Sequence, residues 1–136
     1  EDGVILEKLY EIFKQKIKEG VEIRMIYDAL GSFWLKRNII KKFKALGVEV
    51  YTVMPIKFGT ILFTINFRNH RKNIIIDGKI GFTGGVNISD KYVTSQSDLG
   101  IWDDEHICIE GPAVENLHNI FIKDYYFYVI FIKFYL

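Results

Sequence analysis

VEIRMIYDALGSFWLKRNIIKKFKALGVEVYTV, residues 21–53, decides the fold class. Val21, Ile23, Met25 and Tyr27 alternate with Glu22 and Arg24, which predicts a half-buried strand ending at the turn-like Asp28-Ala29-Leu30-Gly31-Ser32. Leu35, Ile39, Ile40, Phe43 and Leu46 then recur at helical spacing, with Lys36, Arg37, Lys41, Lys42 and Lys44 on the wet face and Gly47 as the stop. Val48-Glu49-Val50-Tyr51-Thr52-Val53 reads as the next strand. Strand, helix and strand within about thirty residues form a crossover unit, which calls for parallel pairing and a sheet covered by helices. The fold class is therefore α/β.

Upstream, Ile5, Leu6, Leu9, Ile12, Phe13 and Ile17 recur every three or four residues, which predicts a helix over Val4–Lys18 with Gly20 as its C-terminal cap. Downstream the pattern changes, because short apolar runs are punctuated by glycine with no helix between them. Asn69–Ile76 reads as a strand, Asp77-Gly78 as a tight turn and Lys79–Thr83 as the hairpin return, so the sheet is mixed. Ile74, Ile75 and Ile76 are apolar on both parities, which predicts an interior strand buried on both faces. After a polar loop, Ile101–Glu110 is a further strand, and Gly111-Pro112 opens a helix carrying Val114, Leu117, Ile120 and Phe121. That helix runs into the uncharged stretch Tyr125–Ile132, read as a buried helix end.

The length of 136 residues and the 49% hydrophobic, 26% charged composition suit one globular domain and exclude a disordered or collagen-like chain. The longest stretches free of Asp, Glu, Lys and Arg, Phe58–Phe67 and Ile80–Ser89, hold 10 residues each, whereas a spanning helix needs roughly 20. The single Cys108 excludes an internal disulfide framework and reads as a small buried apolar residue in a reducing compartment. The net charge of +1 is unevenly spread: residues 1–35 carry −2, residues 36–79 carry +8 and residues 80–136 carry −5. The basic middle third points to an anionic partner, whether phosphate, nucleic acid or lipid headgroup.

Within that third lies Asn69-His70-Arg71-Lys72-Asn73-Ile74-Ile75-Ile76-Asp77-Gly78. The strand period of two puts His70 and Lys72 on one face and Arg71, Asn73 and Asp77 on the other, so a nucleophile and a cation share a face. The isoleucines behind them predict a rigid mount for the pair.

His70-x-Lys72 followed after four residues by Asp77 resembles the motif of the phospholipase D superfamily. Gly84-Gly85-Val86-Asn87 looks like the family's glycine turn and its Asn, with Gly85 where many members have Ser. The Tyr27–Ser32 segment, Asn66–Lys72, and Trp102-x-Asp104-x-His106 before Ile109-Glu110-Gly111 are similar to the bacterial cardiolipin synthase branch, and the resemblance spans about residues 3–124. It implies a phospholipase D-like half: a mixed, mostly parallel sheet between helices, an α-β-α sandwich. It also implies His70 as the nucleophile that forms a phosphohistidine, with Lys72 and Asn87 binding the phosphate and no metal or other cofactor. Asp104 is expected to orient His70, with Glu105 as the alternative. Asp77, Gly84 and Gly85 belong to the motif but are read as structural. His106 is read as a structural histidine bordering the site, and His118 as a packing or surface residue. Arg71 reads as structural, Arg68 as evenly balanced between structure and an anionic headgroup, and Trp102 as a core or rim aromatic.

The family builds one active site from two copies of the motif, and this chain holds one. No strand precedes the first helix either, so residues 1–136 are expected to be a single-domain fragment lacking the first strand and the second motif. The resemblance implies half of a cardiolipin synthase-like phosphatidyltransferase, acting on a phosphatidylglycerol-like phospholipid at the cytoplasmic face of a bacterial membrane, the fragment itself being soluble. Its partner would be the second motif-bearing half or a homodimer mate. The alternatives are a single-motif phosphodiesterase of the nuclease type completed by homodimerisation, and a half-domain that only binds phosphate. Nucleic acid is the less favoured partner, because the residues flanking the motif resemble synthases more than nucleases.

Overall fold

A computed structural model of the chain describes residues 3–32, 37–53, 69–92 and 103–135. Helix α1 (Val4–Lys18) leads into strand β1 (Arg24–Asp28), helix α2 (Arg37–Leu46) and strand β2 (Glu49–Val53). Strands β3 (Lys72–Ile76) and β4 (Ile80–Gly84), a short 3-10 turn (Asp90–Tyr92), strand β5 (His106–Glu110) and helix α3 (Val114–Tyr135) follow. Leu35 and Lys36, expected at the start of α2, lie outside the described residues.

The crossover unit forms as its periodicity requires. β1 and β2 pair in parallel from Arg24↔Glu49 to Asp28↔Val53, and the apolar stripe of α2 closes over them. Ile39, Phe43, Val48 and Val50 are buried together, with Leu6, Leu9, Phe13 and Ile17 of α1 packed against them. Phe43 is 2% exposed, and it sits edge-on to Tyr10 and Phe13 with ring centroids 5.9 and 5.6 Å away. Ile12 falls outside this stripe and is exposed. The start of α1 is tied to the other half of the chain: the backbone amides of Val4 and Ile5 donate to Asp90 Oδ2 and Oδ1 at 2.7 and 2.9 Å. Gly3 leaves room for that carboxylate, because a Cβ there would stand 2.7 Å from Asp90 Oδ2.

β3, β4 and β5 make an antiparallel sheet in that order. The α/β class holds, but among the described residues the strands form a parallel pair and a separate antiparallel triplet in place of one mixed, mostly parallel sheet. Asp77 and Gly78 close the β3–β4 hairpin with φ of 51° and 65°, and Lys79 N–H donates to the Ile76 carbonyl at 2.9 Å. Two consecutive left-handed residues are what a two-residue type I′ turn needs, which is why Asp-Gly occurs here.

The burial of β3 departs from expectation. Ile74 and Ile76 are 53% and 46% exposed, because among the described residues β3 is an edge strand and α3 covers only one face. That face holds Gly81, where a Cβ would stand 2.8 Å from Leu117 Cδ1 and 3.6 Å from Val114. Ile75 pairs with Gly81 and shares its side. On the other face, Ile74, Ile76 and Cys108 remain exposed, so Cys108 is not the buried residue its type suggested.

α3 reaches both sheets, touching β2 as well as β3 and β4. Tyr125 is buried; its hydroxyl donates to Glu49 Oε2, and its ring meets Tyr51 edge-on at 5.3 Å. Arg24 closes the cluster, 5.9 Å from the Tyr125 ring centroid and 3.5 Å from Glu49 Oε2. Burial and the bond to Glu49 raise the Tyr125 phenol well above its ordinary value. Tyr126 and Phe127 are 54% and 56% exposed, so within residues 125–129, the part of the uncharged run whose burial is described, one side of the helix is buried and the other is not. No helix among the described residues is long and apolar enough to cross a membrane.

Candidate active site

Lys72 opens β3 and pairs with Gly84, which pairs in turn with His106. Directly paired residues point to the same side of a sheet, so Lys72, Gly84 and His106 form one row on the face that α3 leaves open. Gly84 contributes no side chain, and the His106 ring fills the gap: a Cβ on Gly84 would stand 2.6 Å from His106 Cγ and 2.5 Å from the Glu105 carbonyl oxygen. Gly85 admits a second side chain from the same segment, since a Cβ there would stand 2.6 Å from Asp104 Oδ1 and 2.8 Å from its Cγ. The paired glycines are the space that Asp104 and His106 occupy.

His70 lies two residues before the first ladder pair and is exposed. The strand therefore does not hold it, contrary to the expected rigid mount. Its neighbours are held by α3 instead. Asn69 Nδ2 and Arg71 Nη1 each donate to Asp124 Oδ2 at 2.8 Å, and the Arg71 amide donates to Asn69 Oδ1 at 3.0 Å. Arg71 is thus an ion-pair residue facing α3, and His70 projects between two anchored neighbours. The side chains of His70, Lys72 and His106 make no hydrogen bond or ion pair among the described residues, which brings three nitrogen-bearing side chains to one end of the sheet.

The other sequence candidates distribute unevenly. Asn87 is exposed in the loop after β4, and its amide nitrogen, the donor expected to meet phosphate, donates to Tyr92 Oη at 2.9 Å. Asp77 stands at the far end of β3, about 16 Å along the strand from Lys72 at ~3.3 Å per residue, too far to share one phosphate with it. Glu105 places its backbone carbonyl against Gly84 and its side chain is exposed. His118 is exposed on α3 beside the hairpin turn, its Nδ1 3.6 Å from where a Cβ on Gly78 would stand, at the end of the sheet away from His70. Arg68 and Trp102 lie outside the described residues. No group of three or more His, Cys, Asp or Glu side chains suited to a metal ion occurs among the described residues.

Asp124 and Asn69 were not among the candidates. The available signal was the position of Asp124, the last acidic residue of the chain, immediately before the uncharged run. A carboxylate at the edge of an apolar helix end requires partners.

The family model described as cardiolipin synthase, PLD-like domain, matches residues 5–125. The chain is 44% identical to a cardiolipin synthase of Halalkalibacterium halodurans, over 91% of the chain and 25% of that protein. It is 45% identical to a cardiolipin synthase of a Geobacillus species, over 89% of the chain and 24% of the relative. With cardiolipin synthase 2 of Bacillus anthracis the identity is 42%, over 93% of the chain and 24% of the relative. The chain spans about a quarter of the length of these curated relatives. No solved structure matches it.

Proposed function

Because the chain belongs to the cardiolipin synthase, PLD-like domain family, we propose that it is one half-site of a phosphatidyltransferase, a single domain carrying one copy of a motif used in pairs. His70 attacks the phosphorus of a phosphatidylglycerol-like donor, forming an N–P bond as the P–O bond to the leaving glycerol breaks. The second motif, from another segment of the whole protein or from a second copy of the chain, protonates that oxygen. The hydroxyl of the acceptor lipid then attacks phosphorus, loses its proton to the same group and releases His70, so every bond and proton is returned. Lys72 and Asn87 neutralise the nonbridging oxygens, and Asp104 turns the His70 ring for attack. In Asn87 this requires exchanging the Tyr92 bond for phosphate. In the whole protein this chemistry takes place at the cytoplasmic face of the bacterial membrane.

The observation that carries the reading is the Lys72–Gly84–His106 row, with His70 exposed two residues upstream and Asp104 seated on the adjoining Gly85. Net charge of +8 over residues 36–79 supports an anionic substrate and equally suits a nuclease-like phosphodiesterase completed by dimerisation.

A dilution series on bis(p-nitrophenyl) phosphate tests the half-site. General acid catalysis contributes about 10²–10⁴-fold, so the isolated monomer should turn over negligibly, and rates growing with the square of protein concentration would identify dimer completion. His70→Ala should abolish any such rate. Dilution-independent activity from a 15.9 kDa species, or activity surviving His70→Ala, would overturn the assignment.

A further inference from the structure

His70 is the residue on which the proposed chemistry turns, yet among the described residues no ladder bond holds it. What fixes its backbone is a single carboxylate from the other end of the sequence. Asp124 Oδ2 accepts from Asn69 Nδ2 and Arg71 Nη1, both at 2.8 Å, one residue on either side of His70. The Asn69 side chain also accepts the Arg71 amide at 3.0 Å, closing a three-residue loop around His70. Asp124 is itself well placed to act as a fixed point. Its side chain is 23% exposed, and the next residue, Tyr125, is buried against β2 through Glu49 and Tyr51. With both neighbours drawn to α3, the imidazole is left exposed between them.

From this geometry we infer that Asp124 is a positioning residue for His70: its carboxylate clamps Asn69 and Arg71 and so sets where the imidazole meets a phosphoryl group. The inference rests on the reading of His70 as the phosphate-facing nucleophile. It assigns to α3 the task first expected of β3. Placement matters for this chemistry, because a reacting atom about 1 Å out of line can lose about two orders of magnitude in rate. The clamp is also economical in entropy, since Arg71 and Asn69 lose their freedom to one shared oxygen.

The test is histidine side-chain NMR on the whole chain, titrated with orthovanadate, for wild type, Asp124→Ala, Asp124→Asn, Asn69→Ala, Arg71→Gln and the neighbouring Lys123→Ala. In wild type and Lys123→Ala the His70 imidazole should give one sharp set of signals and bind orthovanadate equally. Asp124→Ala should broaden or double those signals and weaken orthovanadate binding ~tenfold, the scale of one lost charge-assisted bond. Asp124→Asn, which keeps an acceptor, should fall between. A merely structural Asp124 would lower the melting temperature with His70 signals and affinity unchanged, and that result overturns the inference. If Asp124→Ala does not fold, Asn69→Ala and Arg71→Gln decide, each removing one arm; unchanged His70 signals in both would sink it. Wild-type protein that binds no orthovanadate at His70 would instead refute the reading of the site, while its His70 line shapes still report on the clamp.

Discussion

The Asp104 carboxylate occupies the space of a side chain that Gly85 lacks, its Oδ1 and Cγ 2.6 and 2.8 Å from the ideal Cβ position. His106 stands in the same relation to Gly84. Two glycines in sequence thus let two side chains of the segment before and into β5 lean onto β4, toward the row that Lys72 begins. Both glycines answer a steric need, and it differs between the two positions.

At Gly85 the obstructing atoms are the far end of an aspartate side chain, the carboxylate of Asp104, and no backbone atom. Gly85→Ala should therefore cost under about 1 kcal/mol, whereas Gly84→Ala, which must also displace the Glu105 carbonyl at 2.5 Å, should cost about 2 kcal/mol through overpacking. Urea unfolding measures both. Removing the obstruction should rescue the first, so Asp104→Ala combined with Gly85→Ala should be more stable than the sum of the single changes implies. Strict additivity would mean that the carboxylate does not sit on Gly85.

Asp77 holds φ of 51° at the first position of the hairpin turn, followed by Gly78 at 65°. Asparagine adopts this conformation as readily as aspartate, while alanine pays about 1 kcal/mol for it and a β-branched residue more. Thermal melts should rank Asp77→Asn level with wild type, then Asp77→Ala, then Asp77→Val. A large loss in Asp77→Asn would show that the carboxylate charge, and not the turn, is what the position requires.

The Tyr125 hydroxyl bound to Glu49 gives stability a signature at high pH. Its folded-state value is raised, so above about pH 10, the ordinary tyrosine value, the unfolded chain surrenders this proton while the folded chain keeps it. Stability from this group is complete below that pH and is lost as pH rises further. Tyr125→Phe should be about 1 kcal/mol less stable at pH 7, with the gap closing between pH 10 and 11. A gap that stays constant across that range in urea melts would disconnect the hydroxyl from the effect.

Periodicity and spacing carried much of this protein. The crossover from β1 through α2 to β2 was legible because its apolar residues fall on one side at a period of 2 or 3.6, and such patterns act locally. The Asp77-Gly78 turn and the glycine pair Gly84-Gly85 were likewise visible, since each depends on residues a few positions apart. Burial of β3 was not, because three consecutive isoleucines do not say whether the strand lies inside or at the edge of its sheet. Tertiary structure placed it, among the described strands, at the edge, with one face against α3 and the other open at Ile74 and Ile76. It also moved the support of His70 from the strand to Asp124, 54 residues along the chain. No local pattern encodes such a bond: a carboxylate finds its donors only once α3 has packed across both sheets, and that packing is set by the shape and burial of the whole.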